Sequence, residues 1–170
     1  ILFLCPCIEP GRSGVGDYTV GLAAAADSIG ARTQVLAFAD SGAEAGAGGT
    51  TAWCGQRVTA TRLPPTRSPE QVRSAIQTAI AEFGPDWISL QWVPYAFHSK
   101  GLMAWGDFPW DVLSGAAKMH WMIHETWIGG FAGAPWKMRL TGWVQRWMMR
   151  RLFVRLDVRQ AHTSNATYVR

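Results

Sequence analysis

An uninterrupted apolar run, Ile1-Leu2-Phe3-Leu4-Cys5, is followed at once by a segment that cannot continue it, since Pro6, Pro10, Gly11, Gly14 and Gly16 all interrupt regular structure. No polar residue alternates within the run. It therefore predicts a strand buried on both faces, as in a parallel sheet covered by helices. A helical pattern begins at Asp17, where Val20, Leu22, Ala24 and Ala25 lead to Ile29 and a stop at Gly30. A strand, a glycine-bearing turn and a helix N-terminus together suit an anionic ligand. Free backbone N–H groups and the positive end of the helix dipole point at it, and glycine lets a phosphate come close.

The remainder repeats this alternation. Thr33–Phe38 reads as a second strand. Asp40–Gly49 is rich in Gly, Ala and Ser and reads as a mobile loop, with 40–55 as an insertion. Gln56–Arg62 predicts a short third strand ended by Pro64-Pro65. Ser68 and Pro69 supply an N-cap and a first helical position, and Gly84-Pro85 ends the helix they open. Asp86–Gln91 is the next strand, followed by a loop from Trp92 to Gly106 and a short helix near Asp107–Gly115. Met119–Ile123 forms a strand that delivers His124-Glu125 at its end. Gly129–Gly133 reads as a loop, Pro135 to about Phe153 as a long helix, and Asp157–His162 as a last strand before Thr163-Ser164-Asn165. Strands alternating with helices, with the chemically capable residues just past the strand ends, predict a single α/β domain over 1–170. Its parallel sheet would carry helices on both faces, with a ligand crevice beyond the strands' carboxyl ends.

Several familiar sites are excluded by spacing. Counting from Gly14, the dinucleotide fingerprint needs a third glycine where Thr19 stands, and no Gly-Lys-Ser/Thr follows to make a phosphate loop. A zinc protease motif needs a second histidine at Ile128. His120 and His124, four apart on a strand, are separated by roughly 13 Å, so no metal site is expected. His98 and His162 read as loop and strand-end residues. Cys5, Cys7 and Cys54 form no framework, which favours a reducing, cytoplasmic setting, with Cys5 and Cys7 as small core residues. There is no basic leader and no apolar run near 18 residues, so neither a signal peptide nor a spanning helix is read. Beginning on a core strand and stopping at Arg170, the chain reads as a piece of a longer protein.

The net charge is only +4, but Lys137, Arg139, Arg146, Arg150, Arg151, Arg155 and Arg159 face a single acid, Asp157, in their stretch. Such a stretch is either a solvated helix face or a site for an anionic neighbour. On a helical wheel Trp136, Leu140, Trp143 and Trp147 fall on one stripe, with Arg139, Arg146 and Arg150 on one border and Arg151 on the other. Met138, Met149, Leu152 and Phe153 lie opposite, toward the sheet. The Trp stripe suits either an anionic membrane surface met through Trp136–Phe153 or packing on another part of the protein. No nucleic-acid partner is expected.

Four stretches, in order and each at a strand end, resemble the N-terminal domain of GT-B fold glycosyltransferases, in particular the retaining, nucleotide-sugar-dependent family 4. They are Ser13-Gly14-Val15-Gly16-Asp17-Tyr18-Thr19, Pro85–Tyr95, Met122-Ile123-His124-Glu125-Thr126-Trp127 and His162-Thr163-Ser164-Asn165. The resemblance implies a Rossmann-like sheet whose glycine turn, Gly14, Val15 and Gly16, meets the diphosphate of a nucleotide-sugar donor. It implies that His124 touches the transferred sugar, and that Gln91 and Tyr95, with Asp17 and Glu125, lie toward a glycan or lipid-linked acceptor. No metal or other cofactor is implied, and a C-terminal domain outside these residues would supply most of the nucleotide pocket. Ser13 departs from the family's usual Gly-Gly-Val-Gly. The alternatives are a Rossmann-like module that binds a nucleotide or phosphorylated metabolite without chemistry, and a membrane or protein interaction domain.

Overall fold

Which side chains alternate along each strand decides how the sheet is covered. The computed structural model describes residues 1–43, 48–53, 56–102 and 108–164, with 48–53 and 56 described by backbone alone. In chain order the elements are β1 (Leu2–Cys5), α1 (Gly14–Ser28), β2 (Gln34–Ala37), β3 (Gly48–Trp53), β4 (Gln56–Arg62), α2 (Pro69–Phe83), β5 (Trp87–Trp92), α3 (Pro94–Phe97), α4 (Trp110–Leu113), β6 (Lys118–Ile123), α5 (Trp136–Arg155) and β7 (Val158–Thr163). They build one sheet in the order β3-β4-β2-β1-β5-β6-β7. Every neighbouring pair is parallel except β3 with β4. The six parallel strands, with helices on both faces, make a Rossmann-like α/β domain.

The two faces are covered unequally. On one, α1, the single helix there among the described residues, buries Val20 and Ala23 against Phe3, Cys5, Val35, Ala37, Val58 and Ala60. On the other, α2, α4 and α5 bury Val72, Ile76, Trp110, Leu113, Met148 and Leu152 against Leu2, Leu4, Leu36, Ile88, Leu90, Trp92, Met119 and Trp121. Trp92 and Trp121 stack there at 4.6 Å between centroids, and Phe97, Phe108 and Trp110 complete an aromatic slab. Such rings supply large apolar area from few residues. The indole N–H groups of Trp92 and Trp121 are buried and find no acceptor among the described residues.

Local chemistry explains where boundaries differ from expectation. α1 starts at Gly14 rather than Asp17, because Ser13, extended at φ −132°, accepts the Gly16 N–H on its side chain at 3.1 Å and caps the helix. Residues 48–53, expected within a loop, are strand β3. It runs antiparallel to β4 from Gly48 opposite Thr61 to Trp53 opposite Gln56, and β4's outer edge supplies the hydrogen-bonding partners. The predicted third strand, Gln56–Arg62, is β4 itself. Ser68 forms a full capping box with Gln71, and Gly84 ends α2 in the left-handed region at φ 59°. α5 extends beyond Phe153 to Arg155. Cys54, Asn165, part of the expected 40–55 loop, the last part of the 92–106 loop and the start of the helix expected near Asp107 lie outside the described residues. No helix among the described residues is long and apolar enough to cross a membrane.

Candidate functional site

The carboxyl end of β1 leads through 6–13 into the N-terminus of α1. Asp40, at the end of β2, holds this corner in shape. Its carboxylate is fully buried and accepts from the Ile8 N–H at 2.9 Å, from the Gly42 N–H at 3.0 Å, and from Arg62 Nε and Nη2 at 2.9 and 2.8 Å. Burial alone would push its pKa up, but these donors outweigh it and hold the carboxyl below the usual range. Asp17 accepts from the Gly11 N–H at 3.4 Å, which closes the turn.

The three turn residues do different jobs. Gly14 is exposed and Val15 half-buried. As the first residues of α1, their N–H groups have no intrahelical acceptor. Gly16 is buried, and its N–H is committed to Ser13. A Cβ there would sit 2.9 Å from Ile8 Cα and closer still to the Cys7 carbonyl oxygen. Its glycine therefore serves the packing of α1 on the preceding loop, and the N–H groups open to an anion are those of Gly14 and Val15. Ser13 is the cap that lets this helix begin.

His124, just past β6, stands on the same rim. Tyr18, in the second turn of α1, meets it edge-on at 5.1 Å between ring centroids and an interplanar angle of 79°. The Tyr18 hydroxyl points at Met122 Sδ, 3.9 Å away. The His124 N–H donates to the Trp92 carbonyl at 3.1 Å, which fixes the chain as it leaves the sheet. His124 Nε2 lies 2.9 Å from Gln91 Oε1. Gln91 is fully buried, so it stands behind His124 rather than on an open acceptor surface. Its Nε2 donates to Ser89 Oγ at 2.9 Å, Ser89 Oγ lies 2.8 Å from His120 Nδ1, and His120 Nε2 lies 2.9 Å from His162 Nδ1. Burial pushes the pKa of His124 below its ordinary value. Burial, and then the neighbouring His162, does the same to His120.

His162, expected to be a strand-end residue, is at the end of β7 and also one end of a network across β5, β6 and β7. The signal lay in period two. Ser89 and Gln91 alternate with Ile88, Leu90 and Trp92, while His120 and Met122 alternate with Met119, Trp121 and Ile123. The same face carries a groove of about 650 Å³ beside α1, lined by Tyr18, Trp87, Ser89, His120, Met122 and His162 among others.

Beyond His124 the chain is clamped to α5. The Ile128 N–H donates to the buried Gln145 Oε1 at 3.0 Å, and Gly142 lets the helix backbone touch the Ile128 carbonyl. Glu125 is exposed, and its N–H reaches the Trp92 carbonyl at 3.5 Å. Tyr95 is exposed on α3, beside Gly101. Among the described residues no hydrogen bond or ring contact joins either side chain to His124. Cys7, Glu9 and Asp40 bring possible metal-ligand atoms within 4.8 Å of one another. However, both Asp40 oxygens are occupied, and Glu9 is engaged by Arg12 and Ser41. The Cys5 thiol is buried, which pushes its pKa up and leaves it unreactive.

Fold and rim together define a Rossmann-like α/β domain with a helix N-terminus and a hydrogen-bonded histidine at neighbouring strand ends, the region where open parallel sheets bind ligands. Comparison with protein-family models, curated proteins and solved structures finds no match to this chain.

Proposed function

We propose that the chain is the N-terminal, acceptor-side half of a retaining glycosyltransferase of the GT-B type, which transfers a hexose from a nucleotide-sugar to a glycan or lipid-linked acceptor. One observation carries this reading: the α1 N-terminus and His124 occupy one rim, joined through Tyr18 at 5.1 Å. The two features suit the two ends of a sugar diphosphate. The Gly14 and Val15 N–H groups, with the helix dipole behind them, favour phosphate oxygens, and His124 offers a neutral imidazole to a sugar hydroxyl. Stabilising the charge on a departing diphosphate does much to lower the barrier of such a transfer. Helix N-terminal N–H groups supply only part of that stabilisation, so cationic groups of a second domain complete the reaction and these residues alone are close to inactive. The test is sugar transfer by the full-length gene product. His124→Ala is expected to lower kcat/KM roughly 10–100-fold, the loss of one buried hydrogen bond to substrate. Unchanged turnover removes His124 from the chemistry.

A second surface supports a membrane-bound acceptor. On α5, Trp136, Leu140, Trp143 and Trp147 remain 69, 54, 65 and 43% exposed, beside Arg139, Arg146, Arg150 and Arg151. Indoles bordered by guanidinium groups suit an interface with anionic headgroups. The protein would then work at the cytoplasmic membrane face, with this helix lying along the surface.

A further inference from the structure

The network behind His124 has a direction. Gln91 Oε1 carries only lone pairs, so the 2.9 Å contact requires His124 Nε2 to donate. Gln91 Nε2 donates to Ser89 Oγ. The Ser89 hydroxyl has its one proton free to donate to His120 Nδ1, 2.8 Å away. With Nδ1 accepting, neutral His120 holds its proton on Nε2 and donates to His162 Nδ1 at 2.9 Å. In this arrangement all four bonds point the same way, from His124 at the rim to exposed His162 in the groove. Their middle is rigid, because Ser89 and Gln91 are 1 and 0% exposed.

We propose that Gln91, Ser89, His120 and His162 are positioning residues that lock His124 as its Nε2–H tautomer, leaving Nδ1 as a hydrogen-bond acceptor that selects a hydroxyl over an anionic oxygen. The identity of that hydroxyl as a sugar's rests on the sugar-transfer reading, whereas the lock itself does not. The rim then discriminates by hydrogen-bond polarity. Backbone N–H groups of α1 take the anionic end of a ligand, and the lone pair of His124 rejects a phosphate oxygen while accepting a proton donor. Reversing every bond would make His124 Nε2 the acceptor and place the proton on Nδ1, with the opposite preference.

The experiment is long-range ¹H–¹⁵N correlation of the histidine rings in the ¹⁵N-labelled chain near pH 7.5, where four histidines give few signals. The expected result is a neutral, single Nε2–H pattern for His124 and for His120. In Ser89→Ala, His120 loses its donor and Gln91 its acceptor, and the His124 pattern shifts toward a tautomer mixture. Gln91→Glu, nearly isosteric, keeps the Nε2–H form and raises the His124 pKa by about 1–3 through the adjacent carboxylate. It serves equally if the serine variant does not fold. An Nδ1–H pattern in the wild type, an unaltered His124 signal in Ser89→Ala, or an unmoved pKa in Gln91→Glu overturns the lock. None of these readouts needs a substrate. Absent sugar transfer with an intact tautomer pattern would therefore sink the functional reading and leave the lock standing.

Discussion

Replacing Gly142 by alanine sets two well-defined effects against each other. In a helix interior alanine is favoured over glycine by about 1 kcal/mol. At Gly142, however, the new methyl carbon would lie 2.9 Å from the Ile128 carbonyl carbon and closer still to its oxygen, where carbon contacts normally settle at about 3.5–4.0 Å. Both partners are backbone, so no side-chain rotation relieves the overlap, and the 124–130 segment must lift off α5. Lifting it breaks the 3.0 Å bond from Ile128 N–H to buried Gln145, worth roughly 1–3 kcal/mol when a partner is left unsatisfied. Overpacking of this kind adds about 1–3 kcal/mol. Net of propensity, Gly142→Ala should destabilise by about 3 kcal/mol, or roughly 6–12 °C in Tm for a chain of this size. Gly21→Ala is the control. It lies within α1, nothing stands within 4 Å of its added methyl, and it should gain about 0.5–1 kcal/mol. Urea denaturation of the two variants beside wild type measures the difference. A Gly142→Ala protein as stable as wild type would refute the close docking of the His124 loop on α5.

Asp40→Asn should cost about 3 kcal/mol, since Arg62, 19% exposed, and two backbone donors lose their carboxylate; a denaturation midpoint within error of wild type would contradict it. Because the folded pKa of Asp40 is lowered, its contribution is complete above about pH 3.8 and is lost as pH falls further, through the folded value. His120 and His124 also have lowered folded values, so the unfolded chain binds more protons near pH 6. Their stabilisation is full above about pH 6.5 and declines as pH falls through 6.5 toward the folded values. Urea midpoints at pH 7.5 and 5.5 should differ accordingly, and equal midpoints would count against burial of the neutral rings. Trp143→Ala/Trp147→Ala should weaken sedimentation with anionic liposomes by tenfold or more, given about 1.5–3 kcal/mol per indole buried in lipid. Unchanged sedimentation would exclude that face as the contact.

The fold was legible wherever one residue type forces one backbone. The apolar run Ile1–Cys5 yields β1, and Ser68-Pro69 and Gly84 bracket α2 within a residue. β3 was not legible, because Gly-Gly-Thr-Thr-Ala-Trp carries no apolar periodicity and becomes a strand only through β4's unpaired edge. At the site, the shared rim of Gly14 and His124 followed from their placement at strand ends. The packing role of Gly16 did not, because the atoms that leave no room for a Cβ there belong to Cys7 and Ile8, whose approach depends on the path of the turn. Nor did His162, whose partner lies 42 residues away across a parallel pair. Register between distant strands is set by the packed sheet, so pairs of this kind emerge only in three dimensions.

The route from β2 to β4 has a wider effect. Where a parallel sheet usually returns through a helix, this chain comes back as β3, in the plane of the sheet. The sheet gains a strand in width, and among the described residues the α1 face has no second helix. Among the described residues α1 roofs β1, β2 and β4 by itself. Among the described residues no helix lies over β5, β6 and β7 on that face, and there His120 and His162 line the groove, so a detour at one border of the sheet is matched by open ground toward the other.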